Sequence, residues 1–269
     1  MSIQVVVSKF KENIDWVKKC PYDIIVYSKL KDEPNFVPHG TDTEASSYIR
    51  YIIDNYDDLK DWTYFVHGHE WHWHHPMSIL KSFEIDISAL SNECKFFSIN
   101  HGSWHFRQLR TKYTDYHLQH KTLPIMVYKN SNPMPSELTL EEYSEVTKEI
   151  FGEKEFNAIM SKYFSHSKNI TQQFYPASAQ FCVHKSRILA RPKSFYEACY
   201  RVFEDMSDET LLSKNRLSQL LSKKAKAECY KNRTISGFFF EANWHYIFGE
   251  DFFYRPIYTN YNNYPFINS

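Results

Sequence analysis

Glycine is scarce, with 6 residues in 269. Phosphate-cradling loops need closely spaced glycines so that the backbone can approach the anion. Neither G-x-x-x-x-G-K-[ST] nor G-x-G-x-x-G occurs, which argues against P-loop nucleotidases and dinucleotide-dependent dehydrogenases. An excess of one charge is also missing, because 32 Lys+Arg balance 32 Asp+Glu. Without a whole-molecule positive field, no nucleic-acid partner is expected. The five cysteines (Cys20, Cys94, Cys182, Cys199 and Cys229) contain no C-x-x-C pair. They read as free thiols in a reducing compartment, not as a zinc knuckle or disulfide framework. No stretch approaches the ~18 apolar residues of a membrane span, and Lys9, Lys11 and Glu12 arrive before a signal-peptide apolar region can form. A cytoplasmic protein with no transmembrane segment is expected. Nucleophile signatures are lacking too: there is no G-x-S-x-G, and no cysteine lies in a protease context.

The chain that remains is 42% hydrophobic and 24% charged, with 20 Tyr and 21 Phe. That balance suits a folded domain with an aromatic-rich core. Ile3 to Val7, Asp23 to Tyr27 and Trp62 to Val66 read as strands. Asn13 to Lys19 has helical spacing, and a capping box at Thr41-Asp42-Thr43-Glu44 opens a helix carrying Tyr48, Ile49, Ile52, Ile53 and Tyr56. This alternation predicts parallel strands joined by crossovers, with helices on both faces. Lys95 to Ile99, Ile125 to Tyr128 and Ser178 to His184 are further strands, and His101 to His120 reads as a long aromatic-rich loop. Helical segments are expected from Thr139 to Phe164, Pro192 to Met206, Asp208 to Lys231 and Gly237 to Phe248. The expected organisation is one domain over 1–269. It comprises an α/β core (1–190), C-terminal helices (191–250) and a surface tail (251–269).

Three constellations could carry chemistry. The densest follows the third strand: His67-Gly68-His69-Glu70-Trp71-His72-Trp73-His74-His75-Pro76. Ligands of parallel sheets bind beyond the carboxyl ends of strands, so position and chemistry agree. The spacing matches neither H-E-x-x-H nor H-x-H-x-D-H, so histidines facing an anionic ligand are the favoured reading. If a metal is held, His69, Glu70, His72 and His74 are its candidate ligands. The second is Glu241 among Phe238, Phe239, Phe240, Trp244 and Phe248. A carboxylate desolvated by such neighbours is a general-base candidate; the alternative is an exposed helix-face glutamate. The third is Ser178 to His184, where Gln180 either meets a substrate or serves as a satisfied core amide. From Lys214 to Arg233 there are seven Lys/Arg against Glu228 alone, and this stretch reads as a solvated helix face.

Val5-Val6-Val7, Ile25 to Lys29, Tyr48 to Leu59, Phe65 to His69, Ala179 to Val183, Ala190-Arg191-Pro192 and Glu241 with Trp244 and Phe248 together carry a resemblance. Over roughly residues 3 to 250 the chain resembles a domain-of-unknown-function family that is similar to GT-A glycosyltransferases of the rhamnan-synthesis type. The resemblance implies a GT-A-like, Rossmann-like fold: a mostly parallel mixed sheet flanked by helices, with a helical C-terminal part. It further implies transfer of a sugar from a nucleotide-sugar donor to a hydroxyl of a glycan or similar acceptor. Glu241 and His67 would be catalytic. Lys29, Glu44, His69, Glu70, His72, Gln180, Trp71, Trp73 and Trp104 would contact donor or substrate. The Asp-x-Asp that GT-A enzymes usually carry in the loop after Val66 to bind Mn or Mg is replaced by His67-Gly68-His69-Glu70, and Gly40-Thr41-Asp42-Thr43-Glu44 lacks the arginine of the expected Gly-Arg-Glu or Gly-Arg-Asp. The expected reaction therefore allows for transfer without a divalent metal. A metal-dependent hydrolase built on His67 to His75 and a non-catalytic carbohydrate-binding protein are the alternatives.

Overall fold

The computed structural model describes residues 1–37, 44–72, 77–90, 94–99, 106–110, 127–128, 147–148, 151–159, 161, 172–176, 179–207 and 235–250. The capping box before Glu44, the helix expected over Asp208 to Lys231 and the tail from 251 lie outside these residues.

Eight strands are described: β1 (Ile3–Lys9), β2 (Asp23–Ser28), β3 (Trp62–His67), β4 (Phe96–Ser98), β5 (Phe106–Arg110), β6 (Val127–Tyr128), β7 (Gln172–Pro176) and β8 (Phe181–His184). The helices are α1 (Glu44–Asn55), α2 (Glu153–Ile159), α3 (Lys185–Ile188), α4 (Lys193–Ser207) and α5 (Ile235–Ile247). One sheet runs β2-β1-β3-β8-β4, the other β6-β5-β7. β1 pairs in parallel with both β2 and β3, whereas β8 runs antiparallel to β3 and β4. The architecture is a mixed α/β sheet flanked by helices.

Alternation along the strands sorts the core into two layers. Val6, Tyr27, Phe65, Phe181, Val183 and Phe96 face one side and meet Tyr48, Ile49 and Ile52 of α1, Tyr196, Cys199 and Phe203 of α4, and Phe240, Trp244 and Ile247 of α5. Val5, Val7, Tyr64, Val66, Cys182 and Phe97 face the other, against Trp16, Ile79, Phe83, Ile85 and Ile87. Burial on both faces explains why these strands read as continuous apolar runs. The expectation of helices on both faces needs one correction. The second face is covered by short 3-10 segments, Asp15–Lys19, Ile79–Glu84 and Ile87–Ala89. Cys20-Pro21 ends the first of these before an α-helix can propagate. The expected loop His101 to His120 also needs correcting, since it contains β5, which pairs with β6 and β7. The segment Phe106-Arg107-Gln108-Leu109-Arg110 has three polar residues of five and no period-2 alternation, so it does not stand out from sequence.

Two polar nodes tie the layers together. At the first, Asp61 accepts from the Ser2 N–H at 2.8 Å and from Lys185 at 2.9 Å. The Ser2 hydrogen bond, with Lys185 next, holds its carboxyl well below the ordinary aspartate range. Such a group stabilises fully above its unfolded pKa, about 3.9, and loses that contribution as pH falls toward the folded value. Asp61→Asn should therefore lower the melting temperature at pH 7, and in thermal melts the gap to wild type should begin to narrow as pH falls below about 4.

The second node is Arg191, whose side chain is 13% exposed. It donates to the Ile247 carbonyl at 2.8 Å, the Tyr246 carbonyl at 3.2 Å and Glu155 at 2.7 Å, with its guanidinium 4.5 Å from the Phe195 ring centre. The Tyr246 hydroxyl donates to the other Glu155 oxygen at 2.9 Å. Arg191 thereby satisfies the Ile247 carbonyl at the end of α5 and adds a second donor to the Tyr246 carbonyl, which also accepts from the Gly249 N–H at 3.0 Å. Arg191→Ala should cost roughly 3 kcal/mol in denaturant unfolding. Arg191→Lys should recover only part of this, because an ammonium cannot reproduce the planar fork.

Candidate functional site

In the order β2-β1-β3 the chain leaves β1 to one side and returns on the other. Strand order therefore reverses at β1, and the crevice beyond the carboxyl ends of β1 and β3 is where an open α/β sheet receives ligands. The strand ends are level: Ser8 is in register with Tyr27 and His67, and Lys9 with Ser28. The apolar run Val5-Val6-Val7 gives way to Ser8-Lys9 where β1 emerges from its packing. Both residues belong to the strand and were missed by a reading that ended it at Val7. Their signal was the polar pair at the carboxyl end of a buried strand.

Two lysines flank these ends. Lys9, 16% exposed, contacts Glu33 at 2.5 Å. Lys29, whose N–H donates to the Lys9 carbonyl at 2.9 Å, turns its ammonium to the Ser46 hydroxyl in the first turn of α1. In the same turn Ser47 accepts from Ser8 at 3.0 Å, and Glu44 is the first helical residue. Four buried serines, Ser8, Ser28, Ser46 and Ser47, thus surround the ends of β1 and β2.

The exit from β3 is held from below. The His67 N–H donates to Gln180 Oε1 at 3.1 Å, and the Gln180 carbonyl accepts from Ile99 at 3.1 Å. Gln180 is 2% exposed, so its amide supports the loop from inside the sheet. The preceding Ala179 holds φ at 40°, a conformation unfavourable for a residue with a Cβ. Gly68 passes so close to Glu12 that a Cβ would lie 3.0 Å from its carboxylate oxygen, and the Gly68 carbonyl accepts from the Trp16 indole at 2.8 Å. A larger residue there would press on the Glu12 side chain, which would have to give by a few tenths of an ångström.

Beyond Gly68 the histidine loop opens. His69 Nε2 lies 3.6 Å from Glu12 Oε1, and its ring centre is 5.1 Å from that of His72. Glu70 turns back to accept from the Ser78 hydroxyl at 2.7 Å. Trp71 is 60% exposed. Trp73, His74 and Trp104 lie outside the described residues. Among the described residues, no group of three or more His, Cys, Asp or Glu is arranged to hold a metal ion. Mn and Mg favour several oxygen ligands. The described part of the loop offers imidazoles and one carboxylate, Glu70, which accepts from Ser78.

The final element is α5. Its Trp244 packs on Tyr48 of α1 with ring centres 5.9 Å apart, and on Phe240 at 5.5 Å. Glu241, between them in sequence, is 7% exposed, so the alternative of an exposed helix-face glutamate does not hold. The structure brings Lys29 and Glu44 to α1 and the ends of β1 and β2, and gathers His67, His69 and Gln180 at the end of β3. Glu241 joins the same layer through the contact of α5 with α1. Cys182 and Cys199 are fully buried, and burial pushes the Cys199 thiol up to about 12, far from thiolate chemistry at neutral pH.

The strut beneath His67 can be tested directly. Gln180→Leu removes the acceptor for the His67 N–H and should cost about 1–3 kcal/mol in denaturant unfolding. It should also accelerate amide hydrogen exchange at His67 while leaving β1 and β2 protected.

A family model described as "Protein of unknown function (DUF3431)" matches residues 5–261, and the chain belongs to this family. No curated protein and no solved structure matches. The resemblance to a domain-of-unknown-function family is thus borne out. Glycosyl transfer is not part of that description.

Proposed function

We propose that this member of the DUF3431 family is a glycosyltransferase, moving a sugar from a nucleotide-sugar donor to a hydroxyl of a glycan or similar acceptor. The observation that carries the reading is the reversal of strand order at β1. It sets Lys9, Lys29, His67 and His69 around one set of strand ends, beside the serine-rich first turn of α1. A departing nucleoside diphosphate needs its developing charge neutralised, and preorganised cationic and hydrogen-bonding groups do this. In this reading His67 and His69 face the diphosphate and Lys29 holds a donor phosphate. Buried Glu241 takes the proton of the acceptor hydroxyl as that oxygen bonds to the sugar's anomeric carbon and the diphosphate leaves. The GT-A relationship is part of the same proposal. It is supported by three parallel strands followed in space by an antiparallel β8 and by a late acid on a C-terminal helix.

Trp71, exposed beside the loop, favours one second reading, a non-catalytic carbohydrate binder. A thermal-shift panel of nucleotide sugars, run on wild type and Glu241→Gln and followed by a transfer assay, separates the two. Donor at ~100 times its dissociation constant should stabilise both proteins by about 2.7 kcal/mol. Transfer by Glu241→Gln should fall ~100- to 10,000-fold. Glycan binding without any nucleotide response would favour the binder, and full activity in Glu241→Gln would remove this residue from the mechanism.

A further inference from the structure

Glu33 occupies an unusual place. It sits in the turn between β2 and the Phe36 bridge, where the Glu33 N–H donates to the Leu30 carbonyl at 3.0 Å. Its carboxylate meets the Lys9 ammonium at 2.5 Å, and Lys9 first, with the Ser28 side chain next, holds it below the ordinary glutamate range. Lys9 and Ser28 are register partners on adjacent parallel strands, so both side chains rise from one face of the sheet at its carboxyl end. The Ser28 hydroxyl in turn accepts from the Leu30 N–H at 3.0 Å, which fixes its orientation. Lys9 is 16% exposed and Ser28 is 1% exposed, whereas the Glu33 side chain is 31% exposed. The donors are therefore fixed and largely buried in the sheet, and the acceptor arrives from a surface turn. That turn carries Asn35 at φ 52°, held by an amide donation to the Val26 carbonyl at 3.1 Å. The chain thus bends sharply to deliver a carboxylate to a preformed pair of donors.

From this geometry we infer that Lys9 and Ser28 form an anion seat for a phosphate group of the ligand, filled by the Glu33 carboxylate when no ligand is bound. The inference rests on the nucleotide-sugar reading for the identity of the ligand, and names the group that the ends of β1 and β2 hold. Binding is an exchange. Phosphate oxygens accept from the Lys9 ammonium and the Ser28 hydroxyl, while the Glu33 carboxylate swings into solvent with its charge unchanged. No covalent bond forms or breaks. Lys29, which contacts Ser46 on the α1 side of the same strand ends, takes no part in this exchange.

An ordinary structural ion pair and an internally occupied seat predict opposite results when the carboxylate is removed. If Lys9–Glu33 only braces the turn, neutralising Glu33 leaves anion affinity unchanged or weaker. If Glu33 competes for the seat, neutralising it tightens binding, while neutralising Lys9 weakens it. Inorganic pyrophosphate is the probe, titrated calorimetrically at fixed ionic strength into the full chain as wild type, Glu33→Gln and Lys9→Gln. The expected result is pyrophosphate affinity raised about five- to twentyfold in Glu33→Gln and lowered about tenfold or more in Lys9→Gln. Glu33→Gln keeps the size of the side chain and its hydrogen bond to Lys9, so it tests the idea even if Lys9→Gln fails to fold. Unchanged or weaker pyrophosphate binding in Glu33→Gln, or no binding to either wild type or Glu33→Gln, overturns the seat. The transferase reading fails separately. Pyrophosphate binding with this pattern but no response to any nucleotide sugar would retain the seat and lose the transferase. Nucleotide-sugar binding unaffected at Lys9 and Glu33 would do the reverse.

Discussion

The Arg191 guanidinium is the interaction on which the arrangement of helices depends. α5 is apolar nearly all round, so burial alone would let it slide or rotate over the sheet. Its C-terminal carbonyls are directional, and Arg191 meets two of them while pairing with Glu155 of α2 and lying on Phe195 of α4. A fork of donors cannot satisfy three partners in more than one geometry. The Arg191 carbonyl also takes the Tyr56 hydroxyl at 2.6 Å, which binds the end of α1 to the same point. The register of α5 against α1, and with it the position of Glu241, follows from this one side chain.

The sheet supplies the other half of the arrangement. Because its central strands are buried on both faces, chemistry is confined to their ends, and there the residue types change at once from Val5, Val6 and Val7 to Ser8 and Lys9, and from Phe65 and Val66 to His67 and Gly68. Below His67 the interior is closed by Gln180, held by Ile99 and preceded by a left-handed Ala179. Strain of this kind persists only where surrounding contacts over-determine the backbone. The pairing of β8 with both β3 and β4 provides those contacts.

Much of this was legible in the sequence. α1 and α4 fall where helical periodicity places them, and β1, β2, β3 and α5 stand out as apolar runs whose lengths suit strands and a helix. The direction of β8 was not legible. Phe181-Cys182-Val183 is a buried strand in either orientation, and only its partners decide. The second sheet was missed because β5 has no period-2 alternation. At the site, His67 and His69 stood out by density, and Gln180 by its polarity within an apolar run. Lys9 and Glu33 did not stand out, since each is an ordinary charged residue near a turn, and 24 positions in the chain separate them. The register of β1 against β2 sets Lys9 opposite Ser28, and the turn that follows β2 brings Glu33 back to it.

The hydrogen bond from His67 to Gln180 spans 113 positions in the chain, and this separation bears on how the molecule comes into being. Strands β1, β2 and β3 and helix α1 can associate early, since their contacts are local by comparison. The floor of the crevice closes only after a long loop has been drawn together, which slows folding through the entropy of closure. During synthesis from the N-terminus, β3 must wait for more than a hundred further residues before β8 can cover its open edge. Until then Trp62, Tyr64 and Phe65 belong to an unpaired edge strand, the state most prone to association with other chains. The antiparallel strand that shapes the crevice is thus also the step at which a nascent chain becomes safe from aggregation.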